Sequence, residues 1–392
     1  MRDVGLLFPG AAADAVTDDV AVARALLAVE AAWARAQAGR GVAPGDGADA
    51  VERAAAALGA DAAALAADLA STVGGANPVI ALVARLRAAA PEAAHVVHAG
   101  LTSQDVLDTA LVLVLRDACR AVAADLGRAC ASAAALARAH RDAPALGRTL
   151  GQAAVPTTLG ARFAGWLTGL SAARASLVDV AAALPLAYGG AAGELSGVAA
   201  LTGDPFALVD AWGEALALPV PAGPWHTSRT PLVRAAAALA EACAALGHVA
   251  GDVLQGCRPE TGELREPAAP GRGTSSSMAH KRNPVLAVLL RRSAIAAPPL
   301  AATVLTAAGL AHDERPDGAW HAEWPALQQL ARHAVVGAGL AAELLDGLEV
   351  DAAAAEANLR AALPDARGVG AAPAVVDRVL AHLADVNPSE EP

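Results

Sequence analysis

The sequence predicts an all-α protein of three helical domains, the central one a bundle of long helices. Three observations predict it. Hydrophobic residues make up 55 % of the 392 residues, yet aromatics make up only 3 %, and much of the remainder is alanine, the strongest helix former. Long helical segments follow one another at 106–140, 157–184, 230–256, 284–312 and 321–347. No stretch alternates apolar and polar residues over a useful strand length, which leaves room only for short hairpins in the loops.

Val22, Leu26, Val29 and Trp33 fall on one stripe, predicting an amphipathic helix over 18–38. Thr17 or Asp18 can cap it, and Gly39, Gly41 and Pro44 end it. Alanine-rich helix follows around 50–70 and 78–89. Residues 106–140 hold no breaker but Gly127. Two short helices and a polar tail, Asn387–Pro392, expected to fray, complete the chain. The expected domains are 1–104, 105–347 and 348–392. Gly- and Pro-rich stretches at 184–197, 218–224 and 266–273 separate helices and lie beside polar motifs, where function concentrates on a rigid scaffold.

Net charge is −11 and the pI about 5.4, which argues against nucleic acid or an anionic membrane as partner. A small anionic substrate stays possible, because a local basic pocket overrides the global field. The run Ser293–Ala311 reaches membrane-span length, but Pro298 and Pro299 lie in it and charged clusters flank it. A helix buried on all sides in a bundle is the expectation. Cys119, Cys130, Cys243 and Cys257 form no CxxC pair and no zinc spacing. No basic stretch leads into an apolar core at the N-terminus, so a reduced, cytoplasmic protein is expected. No cluster has metal-ligand spacing, and no metal or organic cofactor is expected.

The chain has a single Lys, Lys281, and one internal Met, Met278, and both lie in Gly271–Pro284, GRGTSSSMAHKRNP. Part of this reads as a helix start, with Asn283 as N-cap and Pro284 in the first turn. That leaves the serines and Lys281 unexplained. Backbone amides, hydroxyls, Lys281 and a helix N-terminus together favour a carboxylate or oxyanion, and a serine in that field can serve as a base. A second segment, HAGLTSQDVLDT at His98–Thr109, reads as a capping box, Thr102 with Asp105, ahead of a long apolar helix. A third, RTLGQAAVPTT, covers Arg148–Thr158.

Gly271–Pro284 resembles the GSSxMPxKxNP signature of the fumarase/aspartase superfamily, aligned on Met278, Lys281, Asn283 and Pro284. The resemblance implies an L-aspartase-like fold and Ser275 as catalytic base. Ser276, Lys281 and Asn283 then contact substrate. Thr274 and Ala279 depart from the usual Gly and Pro. Thr102 and Ser103 match a Thr-Ser pair that binds a substrate carboxylate, and His98 matches a histidine near the substrate in the adenylosuccinate lyase branch. Thr149 and Gln152 match polar substrate-contacting positions. Leu150 stands where that branch has its catalytic His, and Val288 where related lyases have the Glu that pairs with it.

The joint loss is chemically coherent. The histidine protonates a poor leaving group. A leaving carboxylate, of pKa about 4, needs no such proton. The stretches LAYGGAAG, PWHTSR, EPAAPGRG and ERPDGAWHAEW, which hold His226, Arg315 and His321, resemble bacterial 3-carboxy-cis,cis-muconate cycloisomerases. His226 and Arg315 are thus candidate substrate contacts. Trp320 and Trp324, at i and i+4, are expected to pack in the core. The resemblance further implies a small polycarboxylate substrate and a homotetramer with composite active sites. It leaves open an adenylosuccinate-type C–N lyase, a lyase that expels another stable anion such as nitrite from nitrosuccinate, and a non-enzymatic bundle reusing the fold.

Overall fold

The computed structural model describes Phe8 and residues 11–71, 75–278 and 280–386. Ala279 and the tail Asn387–Pro392 lie outside the described residues. Helices α1 (Ala11–Thr17), α2 (Asp19–Gly39), α3 (Gly45–Ala60), α4 (Ala62–Ala70) and α5 (Val79–Ala89) come first. The long helix α6 (Ser103–Ala139) follows, then a hairpin of β1 (Pro144–Thr149) and β2 (Gln152–Thr158). Next come α7 (Leu159–Ala183), α8 (Ser196–Ala199), α9 (Pro205–Leu216) and α10 (Thr230–Gly256). Strand β3 (Leu264–Arg265) pairs antiparallel with β4 (Glu349–Val350), and α11 (Val285–Leu310) and α12 (Gly318–Asp346) lie between them. Helices α13 (Ala352–Ala362) and α14 (Ala372–Val386) end the described chain. The all-α expectation holds, and each of the five long helices lies where the sequence puts it to within a few residues.

The chain divides into two compact units, and each long helix contributes residues to both. One unit comprises 1–120, 178–237 and 299–332. Its core gathers on α2: Asp18 caps the helix through the Ala21 amide, and Leu26, Val29 and Trp33 are buried along the predicted stripe. Trp33 meets Trp212 of α9 edge to face at 5.1 Å, and the two indoles donate to the Ala99 and Val29 carbonyls. Trp320 and Trp324 pack edge to face at 4.7 Å, in line with the expected packing. Helix α9 had no sequence expectation, since it is short and bounded only by Asp204-Pro205.

The other unit comprises 121–177, 238–298 and 333–392. The β1–β2 hairpin lies against α13 and α14 here, and Phe163 packs on Trp166 at 4.9 Å. The Trp166 indole donates to Asp252. Thr157 and Thr158, expected to open the helix over 157–184, belong instead to β2; Thr158 then caps α7 by accepting from the Ala161 amide. Polar Thr and Gln residues at the hairpin mask a strand signal that alternation would have shown.

Helix α11 corrects a second expectation. Pro298 and Pro299 do not break it, yet it is not buried on all sides: only 22 % of its most apolar window is buried. Val288, Ile295, Leu305 and Leu310 are each at least half exposed. Helices α10 and α11 are long and apolar enough to cross a membrane by length and composition alone, and α10 is the more buried of the two. Burial pushes the Cys119 and Cys243 thiols up to about 12 and the Cys257 thiol up to about 11, which leaves them unreactive as thiolates near neutrality.

Candidate active site

Two groups of predicted residues assemble, one in each unit. In the first unit, the segment leading into α6 places His98, Thr102 and Ser103 together, all partly exposed. One bond of the expected capping box is present: the Thr102 amide donates to Asp105 at 2.9 Å. Asp105 is fully buried and also accepts from the Gly190 amide and faces His226 Nε2 at 2.9 Å. One carboxylate therefore joins three loops. His226 is buried, and among the described residues its Nδ1 has no hydrogen-bond partner. Arg315 donates to the Gln104 side chain and to the Gly190 and Ala191 carbonyls, the last at 2.7 Å. It clamps the loop that Asp105 also holds.

Beneath this lies a buried ionic cluster absent from the sequence reading. Arg229 donates to both oxygens of Asp108, and its guanidinium is also paired with Glu323. Asp108 also accepts from Trp320 Nε1 at 2.8 Å and from Gln104 Nε2 at 3.0 Å. Burial pushes the Glu323 carboxyl up to about 7, against the pull of Arg229. Two carboxylates share one guanidinium, so the ionised cluster carries an excess negative charge in a dry site. A single proton on Glu323 removes it.

In the second unit, the hairpin presents Thr149 and Gln152 on either side of a two-residue turn, Leu150-Gly151, both exposed. The turn residues have φ of +52° and +78°, the conformation that matches a two-residue hairpin. Leu150 is held there with its side chain fully exposed. Arg148 and Arg162 both bind the wholly buried Glu263 carboxylate, which also accepts from Asn358. Despite its burial, these donors hold the Glu263 carboxyl below the usual range.

The signature loop closes on itself in the same unit. The Asn283 amide donates to the Gly273 carbonyl at 2.8 Å, and its side chain reaches the same oxygen. Gly273, at φ +69°, could not carry a Cβ, which would lie 2.6 Å from the Asn283 carbonyl. Ser275 Oγ accepts from the Ser277 and Met278 amides at 3.4 and 3.2 Å. Ser276 and Lys281 are exposed. Asn283 does not cap α11. Glu266 does, accepting from the Leu286 and Ala287 amides at 3.0 and 2.7 Å. This carboxylate occupies the positive end of the helix dipole, a role invisible in sequence because it lies twenty residues upstream. Val288 follows on the exposed side of the first turn.

Chemically, the loop offers a serine oxygen inside two amide donors, a cation and an amide, and the head of α6 offers hydroxyls and a histidine. Each set by itself suits a carboxylate, and the serine in the loop adds a group that can carry a proton to or from carbon. A family model described as Lyase matches residues 11–297. Among curated proteins, the nitrosuccinate lyase of Streptomyces davaonensis is 47 % identical over 369 residues, covering 91 % of this chain and 77 % of its own. The 3-carboxy-cis,cis-muconate cycloisomerase of Bradyrhizobium diazoefficiens is 42 % identical over 359 residues, covering 91 % and 78 %. The crystal structure of the 3-carboxy-cis,cis-muconate lactonizing enzyme from Pseudomonas putida superposes with a TM-score of 0.82 at 35 % identity, over 99 % of this chain and 89 % of that one.

Proposed function

The chain belongs to the fumarase/aspartase lyase superfamily, and on that premise we propose that it is a 3-carboxy-cis,cis-muconate cycloisomerase. Apolar chemistry at two positions together argues against a leaving amine or hydroxide, and the likeness to curated cycloisomerases and to a lactonizing-enzyme structure carries the choice among leaving groups that need no proton. Leu150 at the hairpin tip and Val288 on α11 leave no acid there to protonate a leaving amine or hydroxide. A carboxylate needs none.

In the lactonising direction one substrate carboxylate adds across a double bond, and the electron pair moves onto a neighbouring carboxylate as an aci-carboxylate. Ser275 then delivers a proton to carbon; in reverse it removes that proton. The two amide donors on its oxygen support the alkoxide left behind. With Glu266 at the head of α11, the developing charge falls to Lys281, Asn283 and Ser276. Thr102, Ser103 and His98 bind a second carboxylate, with Thr149 and Gln152 as further contacts. His226 and Arg315 fix the loops around the Thr102 turn.

The exposed apolar side chains of α11 support a homotetramer, in which the Thr102, Thr149 and Ser275 segments come together from different subunits. The three domains at 1–104, 105–347 and 348–392 and a cytoplasmic location belong to the same reading. The 47 % identity to a nitrosuccinate lyase favours a second reading, expulsion of nitrite, which the apolar pair at 150 and 288 suits equally. An ultraviolet assay of the purified protein with 3-carboxy-cis,cis-muconate tests the proposal. Rapid loss of the conjugated diene supports it; no loss from an assembled protein overturns it.

A further inference from the structure

We propose that Glu30 and His98 form a proton-holding pair, in which Glu30 fixes the ring so that Nε2 offers a proton to a substrate carboxylate bound at the head of α6. It rests on the reading of the Thr102 turn as a carboxylate site. The Glu30 side chain on α2 is wholly buried, and both its oxygens serve residue 98. Oε2 accepts the His98 backbone N–H at 3.0 Å, and Oε1 lies 2.7 Å from Nδ1. An ionised carboxylate can only accept, so Nδ1 bears the proton and Nε2 is the atom left over. Among the described residues nothing engages Nε2, and the side chain is 15 % exposed.

The backbone is constrained to make this so. His98 has φ +59°, the left-handed region that is strained for a non-glycine residue. Its neighbours are pinned: Trp33 donates to the Ala99 carbonyl, Gln37 to the Val96 carbonyl, and a Cβ on Gly100 would strike the Gly197 backbone at 2.8 Å. A histidine that served only packing needs neither the strain nor a dedicated buried carboxylate.

Charges nearby leave the role open to a ligand. Arg87 donates to the Val97 carbonyl, and Asp105 is engaged by Thr102, Gly190 and His226. An incoming carboxylate completes a carboxylate–imidazolium–carboxylate array, for which the ring must carry two protons. One proton from solvent adds to the Nε2 lone pair on binding, and no substrate bond changes. It stays on nitrogen while charge builds on the bound carboxylate. The His–Glu pair missing at positions 150 and 288 thus has a counterpart elsewhere in the chain, with binding rather than leaving-group protonation as its task.

The test is calorimetric titration of the full chain with tricarballylate, a stable tricarboxylate, in buffers of different ionisation enthalpy between pH 6.5 and 8.5. The expected result is net uptake of up to one proton per ligand. His98→Asn and Glu30→Gln should remove the uptake and weaken binding roughly tenfold or more. Binding whose heat is independent of buffer, or uptake that persists in His98→Asn, overturns the pair. Failure of tricarballylate to bind the assembled protein overturns the carboxylate-site reading first and the pair with it. The buffer comparison on the unaltered chain needs no variant to fold.

Discussion

Ser275, Lys281 and Glu323 carry the sharpest expectations at the scale of single residues. Replacing Ser275 by Ala removes the proposed proton carrier, and kcat should fall by about 10²–10⁴ with little change in thermal stability, because the side chain lies in an exposed loop. Lys281 is the only lysine, so an amine-directed reagent such as an acyl phosphate or a pyridoxal-type aldehyde has one side-chain target. Labelling should abolish turnover in proportion to modification, and a bound polycarboxylate should protect. Full activity after stoichiometric labelling would remove Lys281 from the site.

Glu323 makes a prediction in pH. Its carboxyl sits at about 7 in the folded protein against 4.5 ordinarily, so the folded state keeps a proton that the unfolded state has already lost. Stability from that proton is fully present below about 4.5 and disappears as pH rises through 7. Glu323→Gln cannot titrate. Its melting temperature relative to the parent should therefore rise between pH 5 and pH 8 and level off above. Parallel melting curves for the two proteins across that range would contradict the charge count in the Asp108–Arg229–Glu323 cluster.

At the scale of elements, the hairpin is where sequence and structure parted. Its strands are short, and Thr149, Gln152 and Thr157 occupy faces that apolar residues would have marked, so β1 and β2 left no alternation to find. The α6 head was legible, because a capping box is a local pattern with a local cause. The cap on α11 was not: Asn283-Pro284 has the right composition, but a carboxylate from Glu266, distant in sequence, makes the hydrogen bonds. Arg229, Glu30 and Glu263 were missed for the same reason, since their partners are assembled by tertiary contact. A sequence signal existed only for Glu30, as a lone acid in the buried stripe of α2.

The hairpin also gives a stability test. Leu150 sits at φ +52° with its side chain fully exposed. Leu150→Gly should stabilise the isolated chain by about 1 kcal/mol by relieving the backbone. If Leu150 contributes to a composite site, the same change should lower kcat/KM. Glu263→Ala should act in the opposite way, costing on the order of 3 kcal/mol by leaving Arg162 without its buried partner.

At the scale of the whole molecule, α11 decides between a monomer and an assembly. Its exposed Val288, Ile295, Leu305 and Leu310 are a cost in water that the proposed homotetramer would remove. Ile295→Glu should dissociate the assembly in sedimentation velocity and abolish activity together, leaving helix content unchanged by circular dichroism. A monomeric variant with full activity would refute composite sites. The five long helices were readable because alanine-rich segments without breakers fix helix locally, whereas the face each helix shows to solvent depends on what surrounds it.

The leaving group is decided by measuring kcat/KM for 3-carboxy-cis,cis-muconate and for nitrosuccinate on one preparation of the protein. A cycloisomerase should show efficient loss of the muconate diene and at least about a hundredfold lower kcat/KM for nitrite release, the scale of discrimination that a site built around one substrate's polar groups achieves. The reverse ratio would contradict the cycloisomerase reading, and would make the chain a lyase that expels nitrite from the same apolar-flanked site.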